Sequence, residues 1–121
     1  RVLDGGYGSG HPDHIAAGET TMSAIFPASR DHMTFPELID EGFEPHKVSE
    51  AWIMGHPQPD LWIDISDHIE TSVKALSSHE SQMDGRSFDE IMDRVKEMKG
   101  ERGKGKGMPV AETFRRIYYR S

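Results

Sequence analysis

Six of the seven prolines in this 121-residue chain fall between positions 12 and 59, and they decide how long any element there can be. Proline fixes its own φ, lacks an N–H and drives the residue before it toward extended backbone, so it opens helices but does not continue them. Pro12 suits the first position of a helix and Pro27 ends it, which predicts one helix over 12–25. The apolar positions Ile15, Met22, Ile25 and Phe26 fit helical spacing loosely, and Ala16, Ala17 and Gly18 permit close packing. Pro27, Pro36 and Pro45 leave residues 27–47 as an irregular connection with a single turn of helix near 35–39. A connection of that length is as readily a packed structural loop as a functional one.

The second half carries clearer patterns. Residues 48–54 read as a strand with Val48, Trp52 and Met54 on one face, and 61–65 as a second strand after a turn at Pro57 and Pro59. Ser66 is expected to cap a helix over 67–77, with Asp67 and Glu70 in its first turn and Ile65, Ile69, Val73 and Leu76 as a core stripe. A further helix over 87–98 is capped by Ser87 and buried through Phe88, Ile91, Met92 and Val95. Residues 100–107 hold four glycines and three basic residues and read as a solvated flexible loop. Residues 110–119, rich in aromatic and β-branched types, read as a terminal strand. There are no internal repeats, and one domain is expected.

Chemistry concentrates in residues 11–18, His-Pro-Asp-His-Ile-Ala-Ala-Gly. With Pro12 opening the helix, Asp13 falls in the first turn and one helical turn brings His11 and His14 to the same side. Gly5, Gly6, Gly8 and Gly10 flank Tyr7 and Ser9 just ahead, an approach that lets backbone come close to a ligand. On spacing alone two such imidazoles are also what solvent-facing histidines at a helix start look like. Asp13 between them, able to orient one ring, is what a metal site would add.

These residues resemble the LmbE-like, or PIG-L, family of zinc-dependent N-deacetylases, whose second metal motif His-x-Asp-His is followed by a glycine. His11, Asp13, His14 and Gly18 match it. The likeness continues through 26–31 (Phe-Pro-Ala-Ser-Arg-Asp), 35–38 (Phe-Pro-Glu-Leu), 44–48 (Glu-Pro-His-Lys-Val), 62–66 (Trp-Ile-Asp-Ile-Ser), 79–82 (His-Glu-Ser-Gln) and 111–115 (Ala-Glu-Thr-Phe-Arg). The family's first motif, Ala-His-Pro-Asp-Asp, has no counterpart in these residues. His56-Pro57-Gln58-Pro59-Asp60 has the wrong spacing and two prolines. The resemblance therefore implies the C-terminal portion of a single LmbE-like deacetylase domain over 1–121. The implied fold is α/β, a partial Rossmann-like layered arrangement with helices on a small sheet and the N-terminal strands missing. Residues 48–54 would then present an unpaired edge and favour self-association.

What the resemblance implies for function is a zinc hydrolase that removes the acetyl group of an N-acetylglucosamine-type conjugate, a small amino-sugar substrate. His14 would be a Zn2+ ligand, His11 the imidazole that stabilises the oxyanion and protonates the leaving amine, and Asp13 the group that orients a ring. Tyr7 and His79 are candidates for contact with substrate, beside the plainer readings of a loop tyrosine and a histidine at a helix C-terminus. His46 reads as structural; His32, His56 and His68 read as surface residues. A non-catalytic binding domain that keeps the fold is the other class of function.

Composition narrows the field. A net charge of −7 argues against nucleic acid and anionic membranes, and no apolar run approaches a bilayer span. With 35% hydrophobic and 29% charged residues the chain fits a soluble globular class rather than disorder. No cysteine is present, so any metal must be held by histidine and carboxylate, and a cytoplasmic setting is the expectation. A homo-oligomer is compatible with all of this.

Overall fold

The computed structural model describes residues 10–120. The chain divides into two compact units, Arg1–Glu50 with Tyr118–Ser121, and Ala51–Ile117. It is mixed α/β, with a small three-stranded sheet. Among the described residues no helix is long and apolar enough to cross a membrane.

In the first unit the prolines act as expected. Helix α1 covers Pro12–Ile25 with Pro12 at its first position. Phe26 ends it in extended backbone, φ −151° and ψ 124°, as the residue before a proline should, and gives its N–H to the Met22 carbonyl. A 3-10 turn, Ala28–Arg30, follows, tied back by the Ser29 hydroxyl donating to the Ile25 carbonyl at 3.0 Å. The expected single turn near 35–39 is helix α2, Pro36–Asp40. Phe26 stacks on Tyr119 with ring centroids 6.4 Å apart, and the Tyr119 N–H bonds the Ser49 carbonyl at 2.9 Å. No described residue of this unit is buried.

The second unit contains the core. Strands β1 (Glu50–Met54), β2 (Leu61–Asp64) and β3 (Ala111–Tyr118) lie in the order β1-β3-β2, so the last strand in sequence is the central one. Strands β2 and β3 run antiparallel with Leu61 opposite Phe114 and Asp64 opposite Ala111. Helices α3 (Ile69–Ser77) and α4 (Phe88–Gly103) pack on each other around Val73, Ile91 and Val95, with Ile69, Met83 and Met92 alongside. Ser87 and Glu90 form a reciprocal capping box at the start of α4. Those bonds, the Ser87 backbone N–H first, hold the Glu90 carboxyl below its ordinary range.

Several expectations need correction. Ser66 caps no helix: it begins a 3-10 turn, Ser66–His68, and it is the Asp64 carboxylate that accepts the Ser66 N–H (2.9 Å) and hydroxyl (2.5 Å). Leu76 and Phe88, read as core, are exposed, because α3 and α4 turn Val73 and Ile91 toward each other instead. Trp52 and Met54 do share a face of β1, but Ala51 is the buried residue, and Trp52 lies outward with its ring 5.6 Å from Phe114.

The glycine-rich stretch after 98 is the largest departure. Helix α4 runs on through Gly100 to Gly103. A Cβ on Gly103 would collide with the Met108 carbonyl oxygen, and one on Gly100 would stand 3.4 Å from the Pro109 oxygen. These glycines let the returning backbone lie against the helix; they do not free it. The basic residues are equally engaged. Lys99, buried, pairs with Glu112, Arg102 reaches the same carboxylate at 3.1 Å, and the Lys106 ammonium sits 4.0 Å over the Trp62 ring.

Candidate functional site

The first turn of α1 gathers the expected residues. His11 is its N-cap, at φ −62° and ψ 131°, and takes the part usually played by serine or aspartate: Nδ1 accepts the Asp13 N–H at 3.2 Å. A ring nitrogen that accepts this bond carries no proton, so in the neutral imidazole the proton sits on Nε2, which is left as a donor. The Asp13 carboxylate stands 3.9 Å from the same Nδ1, beyond hydrogen-bond distance. It is therefore the Asp13 backbone that positions His11 here.

His14 lies one turn on, its ring centroid 5.7 Å from that of His11 and inclined at 60°. His11, Asp13 and His14 are all exposed, and among the described residues the His14 ring has no hydrogen-bond partner. A Cβ on Gly18 would meet nothing within 4 Å. Among the described residues nothing but the His11 ring stands against the His14 ring.

The other sequence candidates fall elsewhere. Tyr7 lies outside the described residues. His79 belongs to the second unit, exposed at the start of a 3-10 turn, Glu80–Gln82. Its N–H bonds the Leu76 carbonyl at 3.1 Å and its carbonyl accepts the Gln82 N–H at 2.8 Å, so its backbone links the end of α3 to that turn. His32, His46 and His68 are exposed and His56 is half-buried, its Nδ1 accepting the Gln58 N–H at 3.0 Å. Among the described residues no three histidine, aspartate or glutamate side chains converge to hold a metal. A groove beside α2, lined from separate turns of an irregular segment, carries no signal in the sequence.

Over 73 residues the chain is 34% identical to the diacetylchitobiose deacetylase of Thermococcus kodakarensis. That stretch is 60% of this chain and 27% of the relative, so the chain spans about a quarter of the length of the curated protein it matches. No family model matches the chain. A deacetylase is therefore what this chain is similar to, over part of each.

Proposed function

We propose that residues 11–18 form part of the active site of a zinc-dependent N-deacetylase of the LmbE-like, or PIG-L, type, with a partial Rossmann-like layered fold. Its substrate would be an N-acetylated amino sugar. The observation that supports this most is that one helical turn brings His11, Asp13 and His14 together, with the His11 and His14 rings 5.7 Å apart. Similarity to a deacetylase agrees with it.

The donor set fits zinc in kind and falls short in number. Two imidazoles and a carboxylate are suitable ligands, and His14 is unengaged among the described residues, but a catalytic site takes three protein ligands and one open position. The resemblance puts the others in an Ala-His-Pro-Asp-Asp segment, which these 121 residues do not contain. When bound, the ion would act as a Lewis acid toward the amide carbonyl and make hydroxide available near neutral pH.

The chain's own residues do the rest. With Nδ1 held by the Asp13 N–H, the His11 Nε2–H is fixed as a donor to the oxyanion that develops on the acetyl carbonyl. The partial positive charge of the α1 N-terminus acts in the same sense. Delivery of a proton to the leaving amine would need the doubly protonated ring, which cannot keep the Asp13 bond. The donor role is the one this geometry favours.

Acetate release from diacetylchitobiose or N-acetylglucosamine, by zinc-loaded protein that includes the first motif, tests the reading. His14→Ala should abolish turnover, and His11→Ala should lower kcat by about 10²–10³, the usual effect of losing one oxyanion donor. Undiminished turnover in His14→Ala would end the zinc assignment. A second reading, a binding domain without catalysis, draws on the lack of a three-ligand group among the described residues. Binding of the amino sugar with no acetate released at any zinc concentration would favour it.

A further inference from the structure

The first unit holds a second concave feature that the deacetylase reading does not use. At the C-terminal end of α1 an open groove of about 300 Å³ is lined by Ala24 and Ala28, by Phe35, Leu38 and Ile39 at α2, and by Phe43 and Pro45 beyond it. That volume is at the small-molecule end of ligand sites. Ten residues of helix separate Ala24 from His14, about 15 Å, so the groove is distinct from the histidine pair.

Its polar lining combines two carboxylates with the His46 imidazole and the hydroxyls of Ser29 and Thr34. The titratable side chains in the lining are Asp31, Glu44 and His46, with no lysine or arginine among them. Arg30, next to Asp31 in sequence, has its guanidinium carbon 5.3 Å from the centre of the Phe26 ring. The Asp31 carboxylate is fixed in place, one oxygen accepting the Met33 N–H at 3.0 Å and the other the Thr34 hydroxyl at 2.7 Å. Glu44 has no partner among the described residues. Phe35 is 58% exposed, and its backbone is held in the left-handed region, φ 54° and ψ 56°, immediately before Pro36. An aromatic residue rarely adopts that conformation without something to maintain it.

We propose that this groove binds a small organic cation, an ammonium ion on an aromatic or alkyl body. The body covers Phe35, Leu38 and Phe43, and the positive charge meets Asp31 and Glu44. Three requirements select this class. An apolar body is needed to cover the rings, a cation to answer two carboxylates, and a small molecule to match the volume. An anion would face both carboxylates, and a neutral molecule would gain nothing from them.

Methyl spectra of Leu38 and Ile39 report the site directly, with benzyltrimethylammonium as the probe, benzyl alcohol as its neutral counterpart and benzoate as the anion. The cation should shift both methyl sets and bind at least about tenfold more tightly than the alcohol, and benzoate should not bind. Glu44→Gln should weaken the cation about fivefold and leave the alcohol unchanged. Phe43→Ala should weaken both, and Glu44→Lys should abolish cation binding. His14 ring signals should stay where they are. Equal affinity for cation and alcohol, unchanged binding in Glu44→Gln, or no shift at Leu38 and Ile39 at millimolar probe would each overturn the proposal. None of these outcomes bears on the zinc reading.

Discussion

Every buried residue of the described chain belongs to the second unit, while His11, Asp13 and His14 belong to the first and only His79, a candidate for substrate contact, lies in the second. The two units are held together by different means. In the second, Val73, Ile91 and Val95 exclude water between α3 and α4, and Lys99 and Arg102 converge on Glu112. In the first, short-range polar bonds dominate (Asp13 N–H to His11, the Ser29 hydroxyl to Ile25, and Met33 and Thr34 to Asp31), with the Phe26–Tyr119 stack and the Tyr119 N–H to Ser49 joining distant segments. The difference shows that side chains can be held in a defined arrangement by bonds that close locally, with no buried residue beneath them among the described residues. It also means the two units should respond to mutation in opposite ways.

The sharpest contrast is between two helical glycines. Gly103→Ala forces a methyl into the Met108 carbonyl and should cost about 3 kcal/mol, seen as a large fall in Tm. Gly18→Ala meets nothing and should stabilise α1 by about 0.5–1 kcal/mol, the ordinary gain of alanine over glycine in a helix. A loss of stability at Gly18 would reveal a surface packed on α1 that lies outside the described residues, and the contrast would fail. Next in size, Val73→Ala opens a cavity at a fully buried position and should cost about 2 kcal/mol. Met22→Ala, half-buried in α1, should cost under about 1 kcal/mol. Denaturant midpoints for the pair measure the difference between the units directly.

The smallest effect is expected at the start of α4. Glu90 has its carboxyl held below the ordinary range in the folded chain, so its contribution is complete above the unfolded value and is lost as pH falls through the folded one. Stability should therefore decline on acidification below about pH 4, and Glu90→Gln should flatten that decline. Ser87→Ala should lower Tm by a few degrees at neutral pH, through loss of the cap. A wild-type acid slope that survives in Glu90→Gln would show that the capping box does not couple pH to this helix.

What the sequence made legible follows from how local each signal is. Pro12 and Pro27 fix the limits of α1 through their own φ and the residue before them, and Ser87 with Glu90 marks the start of α4 through bonds three residues apart. The grouping of His11, Asp13 and His14 is local in the same way. What was misread depends on distant partners. Gly100 and Gly103 look like helix breakers until the chain at Met108 and Pro109 is laid against them. Ser66 looks like a cap until Asp64 supplies a better acceptor for the turn. Alternation puts Trp52 and Met54 on one face of β1, but which face is covered depends on distant packing, and it is Ala51 that is buried. The groove beside α2 had no pattern to read, since its carboxylates and rings come from separate turns of an irregular segment.

The placement of β3 between β1 and β2 has a consequence for the timing of folding. Neither β1 nor β2 borders the other, so within the described sheet both find a partner only when β3, some fifty residues later, is present. In that interval α3 and α4 can already dock through Val73 and Ile91, leaving a helical hairpin as the first folded body to emerge. Residues 111–118 are the strand that joins the described sheet into one.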